Sequence, residues 1–340
     1  MDPLAVGDMA PRSPSGRRVC VLGATGTIGR ATVRALVARG HAVVCLVRPR
    51  AAGAQTPEVA GLLKGARVKF VDVANPDLLA RDGFQDEGFD AVVSCMASRT
   101  GTPADAWAVD HRAHMNVLAA AQAAGVGQFV LLSAICVQKP VLAFQRAKLA
   151  FEAALIRSGM TYSIVRPTAF FKSLSGQIAR VSRGKSFLIF GDGTLTACKP
   201  ISDQDLAAYL ALCLDDPQCW NRVLPIGGPG DAITPRQQGD CLFALLGRKP
   251  RFRSVPVGLL DGIIGVLDAV ARVAPSFADK AELARIGRYY ATQSMLVMDP
   301  QTGLYSADLT PSTGSETLFD YYKAVVAGSA APERGDHAVF

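Results

Sequence analysis

Six runs of apolar and β-branched residues, at 18–23, 42–47, 68–73, 91–96, 129–134 and 162–167, constrain this 340-residue chain more than any other feature. The apolar residues in them are mostly consecutive, not alternate, as in strands buried on both faces. Each run is followed by a helical or turn-rich segment. Glycines at 40, 125 and 159 supply stops for helices expected over 27–39, 104–124 and 141–157. Strands that alternate with helices specify an α/β chain built on a parallel, doubly wound sheet.

Beyond Pro167 the alternation is lost. Ser202-Asp-Gln-Asp205 opens a helix to about Leu214, and Thr234-Pro-Arg-Gln237 opens another to about Leu246, with Pro235 in its first position. The expected organisation is a mobile tail (1–17), a dinucleotide-binding sheet (18–200), and a smaller mixed C-terminal region (201–340). That region is interleaved with the sheet and forms part of the substrate site.

Gly23-Ala-Thr-Gly26-Thr-Ile-Gly29 directly follows the first run and opens the first helix. Glycines there permit a tight turn and let backbone N–H groups and a helix N-terminus approach a pyrophosphate. The context gives a Rossmann-type dinucleotide site, with Gly23, Thr25, Gly26, Thr27, Ile28 and Gly29 around the phosphates. The second run ends at Val47-Arg48-Pro49-Arg50, where an acidic residue would accept hydrogen bonds from a ribose 2′-hydroxyl. A guanidinium suits a 2′-phosphate instead, so NADPH is expected, with Arg48 favoured over Arg50. Asp72 either bonds the adenine amino group or serves as a helix N-cap before Asn75-Pro76. Cys95 and Met96 end the fourth run, on the sheet edge where such folds bind ligand.

The net charge of +7 argues little for nucleic acid once it is located. Residues 1–50 hold eight arginines and two aspartates, which leaves +1 for the rest of the chain. No basic stripe interleaved with aromatics spans a folded face. Eight scattered cysteines without a Cys-x-x-Cys pair fit a reducing compartment and no structural zinc or iron–sulfur site. The tail resembles neither a signal nor a transit peptide. The apolar stretch 257–274 is interrupted by Asp261, Asp268 and Arg272, so no membrane span is expected.

Ser133 closes the fifth run, and Phe144-Gln-Arg-Ala-Lys148 lies near the start of the next helix, with positions 144 and 148 on one face. Short-chain dehydrogenases and their extended and atypical relatives carry Tyr-x-x-x-Lys here. There the tyrosine exchanges a proton with a carbonyl or alcohol, and the lysine holds the nicotinamide ribose. The resemblance rests on the glycine loop, this helix and Val165-Arg-Pro-Thr168; it implies ribose contact for Lys148 and cofactor contacts for Ser133, Pro167 and Thr168. Phe144 has no exchangeable proton and cannot be a general acid. Carbonyl reduction and sugar-nucleotide epimerisation are therefore disfavoured. A conjugated carbon–carbon double bond fits better, because charge left by hydride addition delocalises into the conjugated system.

Further blocks narrow the resemblance: Leu131-Leu-Ser-Ala-Ile-Cys136-Val-Gln-Lys-Pro140, Lys199-Pro-Ile-Ser202, Val223-Leu-Pro-Ile-Gly-Gly-Pro229, Ile286-Gly-Arg-Tyr-Tyr290 and Val339-Phe340. With the phenylalanine-for-tyrosine helix, they resemble the NADPH-dependent divinyl chlorophyllide a 8-vinyl reductase family over about residues 18–340. The resemblance implies reduction of the 8-vinyl group of a magnesium tetrapyrrole, divinyl chlorophyllide or protochlorophyllide, in chlorophyll or bacteriochlorophyll synthesis. Plant members carry a long chloroplast-targeting extension. The short tail here resembles a bacterial member, working in the cytoplasm or at the membrane surface.

For the proton donor, Cys136, Tyr162, Lys148 and bulk water stay open. Phe170, Phe171, residues 187–190 and the stretch 257–274 are candidate walls for an apolar pigment slot. Arg285 and Arg288 are candidates to pair with a propionate, with Tyr289 and Tyr290 nearby. His111 and His114 are weighed as contacts to magnesium and set aside, so no protein metal site is expected. Two other readings remain: another atypical NADPH-dependent reductase acting on a quinone or phenylpropanoid double bond, and a non-catalytic NADP(H)-binding sensor or assembly protein.

Overall fold

The computed structural model describes residues 16–49 and 57–330. The tail up to residue 15 and Arg50 lie outside the described residues. Seven strands form one sheet in the order β3-β2-β1-β4-β5-β6-β8, every neighbouring pair parallel. They are β1 (Arg18–Leu22), β2 (Ala42–Val47), β3 (Arg67–Phe70), β4 (Ala91–Ser94), β5 (Gln128–Leu132), β6 (Thr161–Pro167) and β8 (Arg222–Ile226). The six apolar runs supply the first six strands. The strand β7 (Phe187–Phe190) instead pairs with β9 (Phe252–Val255) outside this sheet.

The seventh strand of the sheet comes from the C-terminal half and lacks an unbroken apolar run. It is an edge strand, with Arg222 and Val223 exposed and Pro225 opposite Arg166, a place where a missing N–H is tolerated. The C-terminal region thus contributes directly to the sheet.

Helices cover both faces. On one, α1 (Thr27–Ala38) packs on α4 (Asp203–Asp215), burying Val33, Leu36, Leu206 and Leu210 against β1, β2 and β6. On the other, α2 (His114–Ala123) and α3 (Ala143–Arg157) bury Val117, Leu118, Phe151 and Leu155. The expected 104–124 helix is present, but a π-type turn at Trp107–Ala113 widens it ahead of α2. Such turns recur at functional sites.

A second core forms from Phe171, Phe187, Leu242, Phe243, Leu318 and Tyr322 around α5 (Pro235–Leu245). The Thr234 and Gln237 capping box and Pro235 start α5 as the sequence predicts. Next come α6 (Val257–Ala271) and α7 (Ala278–Thr292), packed on each other. None of the α6 residues is buried, whereas α7 buries Ala281, Glu282, Tyr289 and Ala291.

Candidate active site

The strand order reverses direction between β1 and β4, and the glycine loop sits at that switch point, where open α/β sheets bind ligands. Gly23 has a left-handed backbone, φ 68°, and a Cβ there would lie 2.6 Å from the Cys95 backbone. A Cβ at Gly29 would lie 2.1 Å from the Gly23 carbonyl oxygen. These two glycines are required by the fold itself. Gly26 is different: its nearest neighbour would be the Gly23 carbonyl at 3.4 Å, and it is exposed. Its missing side chain keeps the N-terminus of α1 open, which fits a pyrophosphate there.

A cation reaches this loop from far along the chain. Lys172, in the helical turn Phe171–Leu174, donates from Nζ to Thr27 Oγ1 at 2.8 Å. No local pattern marks it, because 145 residues separate the pair. Thr25 is exposed on the loop, while Ile28 packs against the core. Arg48 is exposed at the carboxyl end of β2, the place expected for an adenosine ribose substituent. Asp72 accepts from the Ala74 N–H at 3.0 Å, and Asn75 is the N-cap of the next helical turn. Asp72 therefore closes a turn and does not cap that helix.

A cavity of about 410 Å³ opens beside the loop. Cys95, Met96, Ser133, Cys136, Phe144, Lys148, Pro167, Thr168 and Phe170 all line it, so most of the expected site residues come together. Along its C-terminal side stand Phe187, Leu188, Ile189 and Phe190, with Ile286 and Tyr290 from α7. Among the described residues, Lys148 is the only charged side chain in the lining, with no carboxylate and no histidine beside it.

The polar groups behind the lining are fixed by partners that sequence reasoning missed. Lys148 Nζ donates to Asp110 Oδ1 at 3.0 Å, and the same oxygen accepts from the Ser98 N–H at 3.1 Å. The π-type turn carries Asp110. Ser133 donates to buried Glu152, and Arg166 holds Glu152 through two hydrogen bonds. The Thr168 hydroxyl donates to the Lys199 carbonyl. His114 is buried: Nδ1–H donates to the Val109 carbonyl at 2.8 Å, and Nε2 accepts from Ser94 Oγ at 2.8 Å. Burial outweighs these bonds and pushes its pKa down to about 4, so the ring is neutral.

Cys136 is buried on the 3₁₀ turn after β5, and burial raises its thiol pKa. Its carbonyl accepts from Gln145 Nε2 at 3.0 Å and from the Tyr289 hydroxyl at 2.9 Å. Phe144 is 8% exposed and packs with Ile286, Tyr289 and Leu142.

Several candidates stand elsewhere. Phe171 belongs to the C-terminal core, its ring 5.6 Å from Tyr321. Arg285 pairs with Asp268 and Arg288 with Asp261, so both arginines brace α7 against α6 and neither lines the cavity. No residue of 257–274 lines it either. Tyr162 packs against the sheet core. His111 stacks edge-on against Trp107 at 5.3 Å. Among the described residues, no group of His, Cys, Asp or Glu is placed to hold a metal ion.

The family model for NAD(P)H-binding domains matches residues 23–217. The divinyl chlorophyllide a 8-vinyl-reductase of Cucumis sativus is 51% identical over 339 residues, covering 97% of this chain and 81% of that protein. Its counterpart in Oryza sativa subsp. indica is 52% identical over 337 residues, covering 96% and 83%. Among solved structures, leucoanthocyanidin reductase with NADPH from Vitis vinifera superposes with a TM-score of 0.66 at 17% identity, over 91% of this chain and 99% of that one. That likeness concerns the fold. An NAD(P)H-binding oxidoreductase, this chain belongs to the divinyl chlorophyllide a 8-vinyl-reductase family.

Proposed function

We propose that the protein reduces the 8-vinyl group of a magnesium tetrapyrrole, divinyl chlorophyllide a or protochlorophyllide a, to ethyl. The observation that carries this is the match along 97% of the chain to a protein named for that reaction. The cavity supports it, because its lining is largely apolar and, among the described residues, holds a single charged side chain, Lys148, as a slot for a flat apolar macrocycle requires. Bound NADPH supplies a hydride. The backbone of Gly23 to Gly29 and Lys172 hold the pyrophosphate, Arg48 takes the 2′-phosphate, Lys148 takes ribose hydroxyls, and Pro167 and Thr168 flank the carboxamide. Phe144, Phe170 and Phe187 to Phe190 give the macrocycle edge an apolar wall and exclude water. The test mixes the protein, NADPH and divinyl chlorophyllide a. A blue shift of the Soret band is expected as one conjugated vinyl group is lost, and its absence with folded protein overturns the proposal.

We also infer peripheral contact with an anionic lipid bilayer through α6. Among the described residues, no helix is long and apolar enough to cross a membrane. Leu259, Ile263 and Val266 form an apolar stripe on α6, 55%, 41% and 65% exposed, and Val273 just beyond it is 85% exposed. Both aspartates of α6 pair with α7 arginines on its other side, which leaves the stripe uncharged. Exposed Lys249, Arg251 and Arg253 precede it, and exposed Arg272 and Lys280 follow. An apolar face with basic flanks suits the headgroup boundary of an anionic bilayer. Cosedimentation with phosphatidylglycerol vesicles is expected. Undiminished sedimentation of Leu259→Gln/Ile263→Gln/Val266→Gln would remove α6 from the contact.

A further inference from the structure

Reduction of a vinyl group needs a proton as well as a hydride, and the lining of the cavity restricts where that proton originates. Its only charged group among the described residues, Lys148, is held by the buried carboxylate of Asp110 at 3.0 Å. The Cys136 thiol is only 2% exposed, and its sulfur rests against the Tyr290 hydroxyl. Cys198, 7% exposed, turns its thiol to the Ile233 carbonyl, and the Cys95 thiol donates to Thr32 Oγ1 at 3.5 Å. The lining hydroxyls of Ser133, Thr168 and Thr100 are committed to Glu152, to the Lys199 carbonyl and to Asp105, and the remaining lining alcohols, on Ser98, Ser173 and Thr196, are weaker acids than a phenol.

One phenol remains. Among the described residues Tyr290 is the only tyrosine in the lining, and it comes from α7, far along the chain from α3, whose position 144 holds phenylalanine. Ile286, four residues earlier and on the same helix face, packs with Phe144 in one apolar cluster. The Tyr290 hydroxyl lies 3.9 Å from Cys136 Sγ, so the Phe144 side of the cavity has a phenol after all. A weak sulfur contact anchors this hydroxyl without a strong acceptor taking its proton. Burial and the adjacent Cys136 thiol hold its pKa well above the ordinary phenol value, so the hydroxyl carries its proton at neutral pH and the phenolate left after donation is quickly reprotonated.

We propose that Tyr290 is a catalytic residue that donates the proton completing vinyl reduction. This rests on the reading of the protein as a vinyl reductase. The terminal vinyl carbon gains hydride and forms a C–H bond, while the π pair of the double bond moves onto the inner carbon and into the macrocycle. The inner carbon then takes the proton from the Tyr290 O–H. The O–H electron pair stays on the phenolate oxygen, which regains a proton from water at the cavity mouth. The substrate gains two electrons and two hydrogens, and NADPH is oxidised to NADP⁺.

The test compares the full chain with Tyr290→Phe under single-turnover conditions, following NADPH absorbance and the Soret band. Loss of a positioned general acid is expected to slow turnover about 100-fold, with NADPH affinity and melting temperature unchanged. The wild-type reaction run in D₂O supplies a readout that does not depend on the variant folding. Delivery from one fixed phenol gives a single configuration at the deuterated methylene carbon, and random delivery from water gives both. A Tyr290→Phe rate within threefold of wild type, or a mixed configuration from wild type, overturns the proposal and leaves the vinyl reductase reading standing. Wild-type protein that leaves the vinyl group intact overturns both.

Discussion

Lys148 and Asp110 form an ion pair at the wall of the cavity, with Nζ 3.0 Å from Oδ1 and the carboxylate fully buried. The Lys148 side chain is only 12% exposed, so both charges depend on each other for solvation. Asp110 Oδ2 has no hydrogen-bond partner. Lys148 is the source of positive charge for that carboxylate. Because an ammonium has three donors, one bond to Asp110 fixes its direction and leaves two for ribose hydroxyls.

Removing either member strands the other charge. Asp110→Ala and Lys148→Met are each expected to cost about 3 kcal/mol of stability, as for other broken buried pairs. The double variant is expected to lose less than the sum. Urea unfolding of all four proteins measures the coupling, and strict additivity would mean that the two groups do not depend on each other.

The three loop glycines separate fold from function. Gly29→Ala drives a Cβ to 2.1 Å from the Gly23 carbonyl and is expected to lower the melting temperature sharply. Gly26→Ala meets nothing closer than 3.4 Å, so the apoprotein is expected to melt normally. Its Cβ projects where the pyrophosphate approaches, and NADPH affinity falls. Calorimetry of the apoproteins beside NADPH titration reads the two effects separately.

Lys172 bonds Thr27 at 2.8 Å across the mouth of the phosphate loop. A hydrogen bond to a charged group contributes about 1.5–3 kcal/mol, so Lys172→Met is expected to weaken NADPH binding at least about tenfold. Fluorescence titration measures it, and steeper salt dependence in wild type than in the variant would identify a phosphate contact.

The strand pattern, the glycine loop and the starts of α4 and α5 were legible because each follows from local chemistry: consecutive apolar residues, permissive backbone, a capping side chain. Cys95, Met96, Ser133, Pro167 and Thr168 share one cavity because a parallel sheet brings its carboxyl ends to one edge. Tyr290, Asp110 and Lys172 were not assigned these partners. Tyr290 faces the cavity because α7 folds back over Phe144, Asp110 because a π-type turn rotates it inward, and Lys172 because the chain crosses the cleft. Arg285 and Arg288 misled for the converse reason: on a surface helix a guanidinium reads as available until the neighbouring helix supplies its carboxylate.

His114 gives the stability a definite pH dependence. Burial between Ser94 and the Val109 carbonyl lowers its pKa from 6.5 to about 4. The unfolded chain therefore binds a proton between those values that the folded protein refuses. Stability is complete above pH 6.5, falls as the pH drops toward 4, and this contribution is constant below it. The shift corresponds to about 3 kcal/mol. Denaturant unfolding at pH 7.5, 5.5 and 4 is expected to follow this decline. In His114→Gln, which keeps a polar partner for Ser94 without a titrating ring, the decline over the same interval is expected to be smaller by about that amount; an unchanged slope would assign it to other groups.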